Sequence, residues 1–539
     1  MPPERPSTPA GDRSETLPGD LPETLPDALA RARRTRVVVV GGGVAGLTAA
    51  LEWAKIGAHV TVVEASQRFG GGVETVVLDG IAVDLVADAF PLGAVPLRDL
   101  LDELLLRDAV EPARAQPVWV AGLPATPGGA APLPVATLLG IPANTWADDV
   151  RRIIGWRGVW RAYLDRLRPP LTIGFERRLG ALVRKRMGDR VADLLVAPTT
   201  RGLYDLSPDE IDVEAAAPGL STALTRAGSL SGAVTDLLPA PEDAAAQAPT
   251  RATLRGGLSS LPDALVARLT DLGADLRVAT RAVALVREDE RWEVALDADA
   301  DADQGAALAA DQAAAAVEAG GTAADPADVD SAAPLPADVV IVATGAGAAR
   351  TLLGAAGIAV DVAAPQPSRR DVVTLIVAAP ALDDAPRGRS VYPVAATTES
   401  SSAAVAVDQP TAEWPSLAAS AAELPGRHVL RVALPADPDL TDEAVVALAA
   451  AQASALLGVD VGTPRAAARR TVEVAPPASA VGHADRAARV RAAVARQPGL
   501  GVVGAWVSGS GLARVVADAV AEVDRARGVV LWGRATDRR

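Results

Sequence analysis

Apolar β-branched residues crowd into one short run, Val37-Val38-Val39-Val40, break at Gly41-Gly42-Gly43, resume with helical spacing from Val44 to Gly57, and return as His59-Val60-Thr61-Val62-Val63. A continuous apolar run ending in glycine is the pattern of a strand buried on both faces, so this stretch predicts strand, turn, helix, strand. Further on, Leu97, Leu100, Leu101, Leu104 and Leu105 fall on one face of a helix. An arginine-rich helical region runs from about Trp146 to Leu195, with Trp156 and Trp160 one turn apart, and its plainest reading is a helical subdomain with a solvated basic face. Trp119, Trp146 and Trp414 are expected to pack in cores.

The second half repeats the strand pattern. Gly273–Val278 and Ala282–Val286 read as short strands, Asp338–Gly345 as an apolar strand entering a small-residue turn, and Gly499–Gly511 as strand and glycine loop before an apolar helix through Val523. Between them, about 297–336 is Ala, Asp and Gly with little patterning, in a stretch from Trp292 to Ala349 that holds no Lys or Arg. It is expected to be a flexible insertion, and it makes the domain it interrupts discontinuous in sequence. Residues 1–34, rich in Pro, Asp, Glu, Thr and Arg, are expected to be a disordered leader.

The first strand and helix carry Gly41-x-Gly43-x-x-Gly46, and Glu64 closes the second strand 18 residues after Gly46 (64 − 46). This is the spacing of a dinucleotide-binding βαβ unit. Gly41 permits the tight turn, Gly43 lets the backbone approach a pyrophosphate, Gly46 allows close helix–sheet packing, and the helix N-terminus offers free N–H groups to phosphate. Glu64 can accept hydrogen bonds from the ribose hydroxyls of an adenosine and would repel a 2′-phosphate.

Composition narrows the chemistry. A formal net charge of −15 argues against nucleic-acid binding and against a polybasic membrane anchor, so any basic function must be local. With no cysteine, thiolate nucleophiles, zinc thiolate sites and cysteinyl-flavin links are excluded, and His59, His428 and His483 are too few for a histidine-rich metal site. No run of about 18 apolar residues and no signal-peptide pattern are visible, so no integral membrane association and a cytoplasmic location are expected.

Taken in order along the chain, several stretches resemble the flavin-dependent protoporphyrinogen and coproporphyrinogen oxidases within the wider amine-oxidase-like flavoprotein superfamily. Val62-Val63-Glu64-Ala65-Ser66-Gln67-Arg68-Phe69-Gly70-Gly71 with Thr75 is similar to the superfamily segment around the FAD ribose and pyrophosphate. The subtype rests on Leu138-Leu139-Gly140-Ile141-Pro142, Arg184 to Pro198 with Gly202-Leu203-Tyr204, Leu254 to Leu261, Glu413-Trp414-Pro415, Val481-Gly482-His483 and the loop Gly504 to Gly511.

The resemblance implies an α/β protein: a discontinuous Rossmann-like FAD-binding domain (35–80, 251–362 and 471–530), a mixed α+β substrate domain (81–96, 216–250 and 363–470), a mainly helical subdomain (97–215) and a tail (531–539). It implies FAD held by Gly41, Gly43, Val44, Ala45, Gly46, Glu64, Ala65, Arg68, Gly70, Gly71, Val283, Gly504, Gly511 and Leu512. The implied reaction in haem biosynthesis is oxidation of a tetrapyrrole, coproporphyrinogen III, to coproporphyrin III, with hydride passing to the flavin and molecular oxygen leaving as hydrogen peroxide. No catalytic residue is assigned. Propionates on such a substrate need cations, for which Arg151, Arg152, Arg157, Arg161, Arg177 and Arg178 are candidates by location, and contact with the next enzyme of the pathway is a further expectation.

The pattern also departs from the family. Gly72 stands where Arg or Lys usually follows the glycine pair, Val86 replaces a glycine near the flavin, Ala89 a small polar residue, and Val472 and Ser479 stand where Trp and Tyr are usual. A flavin amine oxidase, a carotenoid-desaturase-like enzyme, or a non-catalytic relative that binds tetrapyrrole or a partner therefore stay open.

Overall fold

A computed structural model describes residues 24–123, 126–168, 176–239, 251–289, 291–297, 333–360, 369–394 and 403–532. At its centre lies a five-stranded parallel sheet in the order Asp275–Arg277, His59–Val63, Arg36–Val40, Val339–Val342, Leu500–Val502. Segments remote in sequence meet because the inner strands Arg36–Val40 and Val339–Val342 are apolar on both faces and must be covered on each; the edge strand Asp275–Arg277 is more polar. Val37 and Val39 pack beneath the helices Val44–Lys55 and Leu512–Trp532, while Val38 and Val40 face the layer holding the helices Ala346–Ala355 and His483–Ala495. Helices on both faces of a parallel sheet make this a Rossmann-like α/β domain.

A second, seven-stranded sheet is mixed, in the order Ala466–Glu473, Arg369–Ala378, Arg427–Pro435, Ala406–Asp408, Ser390–Pro393, Val118–Ala121, Ala130–Pro132. The helix Asp442–Leu457 covers one face of it. The hairpin Thr75–Leu78 and Ile81–Asp84 packs against the mixed sheet near Ile376 and Val429. A helical cluster around Ile154, Leu179, Val183 and Leu195 forms the third body of core.

Several boundaries differ from those expected. Val118–Ala121 and Ala130–Pro132, inside the stretch 97–215, are strands of the large sheet, and the helices Leu220–Ala227 and Leu230–Leu237, inside 216–250, pack in the helical core. In both cases the partner surface comes from distant residues, which local pattern does not display. Residues 1–23 of the leader lie outside the described residues, but Leu25–Ala32 is a helix and not a disordered leader. Thr24 caps it, and Ala28 and Ala32 bury themselves where Arg31 Nη1 donates to the Val530 carbonyl of the last helix at 3.4 Å. Most of the insertion, 298–332, lies outside the described residues; its flanks are paired strands, Arg291–Asp297 and Leu335–Ala337. Leu531 and Trp532 close the final helix, and the rest of the tail, 533–539, is outside the described residues.

Candidate functional site

The glycine turn shapes one end of a large cavity. Gly41 adopts φ +111°, and a Cβ there would lie 2.7 Å from the Ala343 carbonyl oxygen, so no other residue makes this turn without displacing the neighbouring strand. Gly43 caps the helix Val44–Lys55 without a side-chain bond, leaving the first-turn N–H groups for a ligand. Gly46 works differently: a Cβ on it would sit 2.0 Å from the Gly41 oxygen, so its absence lets helix and strand touch. The Glu64 carboxylate is already oriented at the strand end, accepting from Gly42 N at 2.7 Å and from Ser66 N at 2.8 Å.

The cavity encloses about 1680 Å³. That exceeds the roughly 300–1,000 Å³ of a pocket for one drug-sized molecule and leaves room for a dinucleotide and a second ligand. Gly41, Gly43, Val44, Ala45, Glu64, Ala65, Gly70, Gly71, Val283, Gly504, Gly511 and Leu512 all line it. Val283 is skipped by the ladder between Arg281–Glu288 and Arg291–Asp297, where the register shifts between Ala282 and Ala284. Such a bulge turns one residue's backbone out of the sheet. Gly511 and Leu512 open the long helix Leu512–Trp532, so a second helix N-terminus meets the same space.

Gly46 and Arg68 do not line the cavity. Gly46 is covered by its own turn. Arg68 spends its guanidinium on the loop it belongs to, donating to the carbonyls of Phe69, Val73 and Gly71 and pairing with Glu74 at 3.0 Å. The six arginines put forward for propionates also lie off the wall: Arg161 donates to the carbonyls of Arg184, Lys185 and Arg186, Arg151 pairs with Asp148, Arg177 with Asp212, and Arg178 donates to Asp209 O, while Arg152 and Arg157 are exposed. The cations on the wall are Arg281, Arg350, Arg370 and Arg486. Arg370 forks onto Asp205 with Nε 2.9 Å from both carboxylate oxygens, and Arg486 donates to Val481 O. The sequence gives no sign of the last two, because Arg370 sits in a strand and Arg486 in a helix, neither within a local motif.

Away from the glycines the wall includes Val86, Ala87, Ala89, Tyr204, Glu473 and His483, so the departures Val86, Ala89 and Gly72 all occur in the wall itself. Val86 to Ala89 are braced from behind. Arg431 is buried, donates to the Val86 carbonyl at 3.3 Å and pairs with Asp88 and, at 3.8 Å, with Asp408. Burial alone would weaken its charge, but Asp88 and Asp408 hold it more firmly protonated than usual, and the Asp88 carboxyl stays below its ordinary value against its own burial because of Arg431 and Arg251. Next to this pair, burial pushes Asp84 up to about 6 even though it accepts from Thr75 Oγ1 and Leu258 N. His483 is buried at the start of its helix, and burial, then Arg486, lower its pKa, which keeps the imidazole neutral at neutral pH. Among the described residues no cluster of His, Asp or Glu is arranged to hold a metal ion.

A family model for flavin containing amine oxidoreductases matches residues 44–526. The coproporphyrinogen III oxidase of Propionibacterium freudenreichii is 29% identical over 287 residues, 48% of this chain and 54% of that protein. The coproporphyrinogen III oxidase of Mycobacterium tuberculosis (strain ATCC 25618 / H37Rv) is 32% identical over 264 residues, 47% and 56% of the two chains. The chain therefore spans about half the length of the curated relatives it matches. In three dimensions it is similar to a protein from Exiguobacterium sp. 255-15 provisionally named a protoporphyrinogen oxidase, with a TM-score of 0.73 at 23% identity over 92% of this chain and 98% of the other. Reduced UDP-galactopyranose mutase shares the fold at a TM-score of 0.61 and 13% identity, over 93% and 95% of the two chains.

Proposed function

The chain belongs to the flavin containing amine oxidoreductases, and from that premise we propose that it is an FAD-dependent oxidase that converts coproporphyrinogen III to coproporphyrin III, with oxygen as acceptor and hydrogen peroxide as product. The observation that carries the reading is one continuous cavity joining the glycine turn and Glu64 to a wall of Val86, Tyr204, Arg370 and His483. The names of the relatives matched over half their length support the substrate.

The residues present fit FAD. Cβ-free backbone at Gly41, Gly43, Gly70 and Gly71 gives a cradle for a pyrophosphate, and N–H groups of Val44 and Ala45 face it from the helix start. In this reading Glu64 takes the ribose hydroxyls, the bulged backbone at Val283 meets the base, and the Gly504–Leu512 segment closes over the far part of the cofactor. FAD when bound supplies a hydride acceptor that oxygen regenerates; position and electrostatics are left to the protein. Arg370 and Arg486 offer the substrate's carboxylates charge-assisted hydrogen bonds in an otherwise acidic protein. Tyr204 lends a flat apolar face. The reading also places the protein in the cytoplasm and allows hand-over of product to the next enzyme of the pathway.

Near-ultraviolet and visible absorption of the purified protein, before and after incubation with FAD and removal of the unbound fraction, is the first test. Retained flavin bands, followed by oxygen-dependent porphyrin fluorescence and peroxide from coproporphyrinogen III, are expected. Absence of retained flavin would end the oxidase reading. Flavin without porphyrin formation would keep the cofactor and discard the substrate.

A further inference from the structure

One face of the mixed sheet carries three arginines. In the register of Arg369–Ala378 with its two neighbours, Arg370 lies opposite Val472, Val372 opposite Arg470 and Thr374 opposite Arg431, so Arg370, Arg470 and Arg431 point to the same side. Two of them tie that side to the segment that follows the strand His59–Val63: Arg431 binds Asp88, and Arg470 binds Glu74 with Nε at 2.8 Å. Arg370 is the one of the three that reaches the large cavity. Its partner there is Asp205, also in the wall, which comes from the helical body between Tyr204 and Leu206.

Asp205 is held stiffly. It ends the helix Ala197–Tyr204 in the left-handed region, at φ +55°, which Asp tolerates better than most residues, and its N–H donates to the Arg201 carbonyl at 2.9 Å. The same helix is pressed onto the sheet: a Cβ on Gly202 would lie 2.3 Å from the ring of Tyr392 in the strand Ser390–Pro393. Both side chains of the pair are largely buried, Arg370 being 20% and Asp205 16% exposed, so the fork is shielded from water. Arg370 Nε stands 2.9 Å from both carboxylate oxygens and Nη2 donates to the same carboxylate, so Asp205 occupies the side edge of the guanidinium. Among the described residues Nη1 has no hydrogen-bond partner. The end edge, Nη1 with the second hydrogen of Nη2, is left for a ligand.

We propose that Asp205 is a positioning residue: it fixes Arg370 so that the end edge of the guanidinium meets a carboxylate of the tetrapyrrole in the cavity. A free arginine loses most of its rotamer freedom when it clamps a carboxylate, whereas one already fixed along its side edge has little left to lose. Asp205 also cancels most of the guanidinium charge. An anion arriving from another direction then gains little, and the remaining attraction lies along one edge, which favours a planar carboxylate held in line with it. The inference rests on the substrate reading of the same cavity and adds to it a residue that acts through another.

Fluorescence titration of the full chain with coproporphyrin III, and with its tetramethyl ester in the same dilute detergent, tests it without turnover. Asp205→Ala is expected to weaken binding of the acid roughly tenfold and Arg370→Ala roughly thirtyfold, while the ester, which has no carboxylate to clamp, binds wild type and both variants alike. In the Arg370→Ala background Asp205→Ala should add less than about twofold, because its effect passes through the arginine. Asp205→Asn keeps one acceptor for Nε and should restore roughly threefold of the lost affinity. Near-ultraviolet circular dichroism like that of wild type checks that each variant is folded. Unchanged or tighter binding of the acid by Asp205→Ala, equal losses for acid and ester, or a loss that persists in the Arg370→Ala background would overturn the proposal and leave the substrate reading standing. No binding of coproporphyrin III by the wild type would instead remove the substrate reading, and the proposal with it.

Discussion

At the end of the cavity formed by the parallel sheet, what faces inward is mostly backbone: the turn at Gly41, the first turn of the helix Val44–Lys55, the bulge at Val283, the start of the helix Leu512–Trp532. Behind Val86 to Ala89 the wall is held by charged side chains instead: Arg431 on Asp88, and Glu413 between Arg251 at 3.2 Å and Arg389 at 3.5 Å. A backbone site is rigid because the sheet is rigid, and it tolerates almost any sequence that keeps its glycines. A wall held by buried ion pairs depends on each partner being present.

The largest effect is therefore expected in the second region. Arg431→Met leaves Asp88 with only the more distant Arg251, at 3.7 Å, and takes a partner from the half-buried Asp408, so destabilisation of about 3 kcal/mol, the lower end for a broken buried pair, is expected. Chemical denaturation of wild type, Arg431→Met and Arg431→Met/Asp88→Asn measures it, and the double variant should recover part of the loss. A single variant as stable as wild type would show that the pair carries no strut role.

In the glycine region the counterpart is Gly46→Ala. The new Cβ would meet the Gly41 oxygen at 2.0 Å and the Ala343 side chain at 3.0 Å, and both belong to the sheet and its turn. A cost at or above the roughly 1–3 kcal/mol of ordinary overpacking is expected, together with loss of flavin retention, read by denaturation and absorption on the same sample.

These two variants also mark how far the sequence could be read. The spacing of Gly41, Gly43, Gly46 and Glu64 lies within one short segment, and each residue acts through local backbone geometry, so strand, turn, helix and acid are legible from the order of the residues alone. Arg431 and Asp88 are 343 positions apart, and Arg370 and Asp205 are 165 apart. No periodicity links such partners; only the topology of the mixed sheet does. Arg68 is opaque for the opposite reason, since its neighbours in sequence give no sign that their carbonyls engage its guanidinium. Trp146, expected in a core, lies at the surface instead, its ring edge-on to Trp160 at 5.0 Å and to Tyr163 at 5.3 Å, because residue type alone does not tell which side of an aromatic ring the distant parts of the chain cover.

The charged region should also respond to pH, through Asp84. Its carboxyl is raised from 3.8 to about 6, mainly by burial. Below the unfolded value both states are protonated and there is no cost. As pH rises from about 4 towards 6 the unfolded chain ionises first, so stability falls; above that window the cost stays constant, at about 1–3 kcal/mol. Asp84→Asn keeps an oxygen for the Thr75 hydroxyl and the Leu258 N–H. Its Tm should exceed that of wild type at neutral pH and converge with it in acid. Parallel Tm profiles for the two proteins would remove Asp84 from the account.

The smallest effect tests whether the glycine region lost anything when it lost its cation. A Cβ built on Gly72 meets nothing within 4 Å, Gly72 is exposed, and it lines the cavity beside Gly70 and Gly71. Gly72→Arg should therefore fold as wild type and place a guanidinium near the proposed pyrophosphate position. If a charge is missing there, FAD affinity should tighten by about fivefold at low salt, and the gain should fade as salt is added. Titration followed by flavin fluorescence measures both. An unchanged Kd at every salt concentration would mean that the helix N-termini and the wall cations Arg281 and Arg350 already supply what the phosphates require. In that case the contrast between the two ends is sharper still, since a charge is dispensable where the backbone does the binding and indispensable where side chains hold the wall.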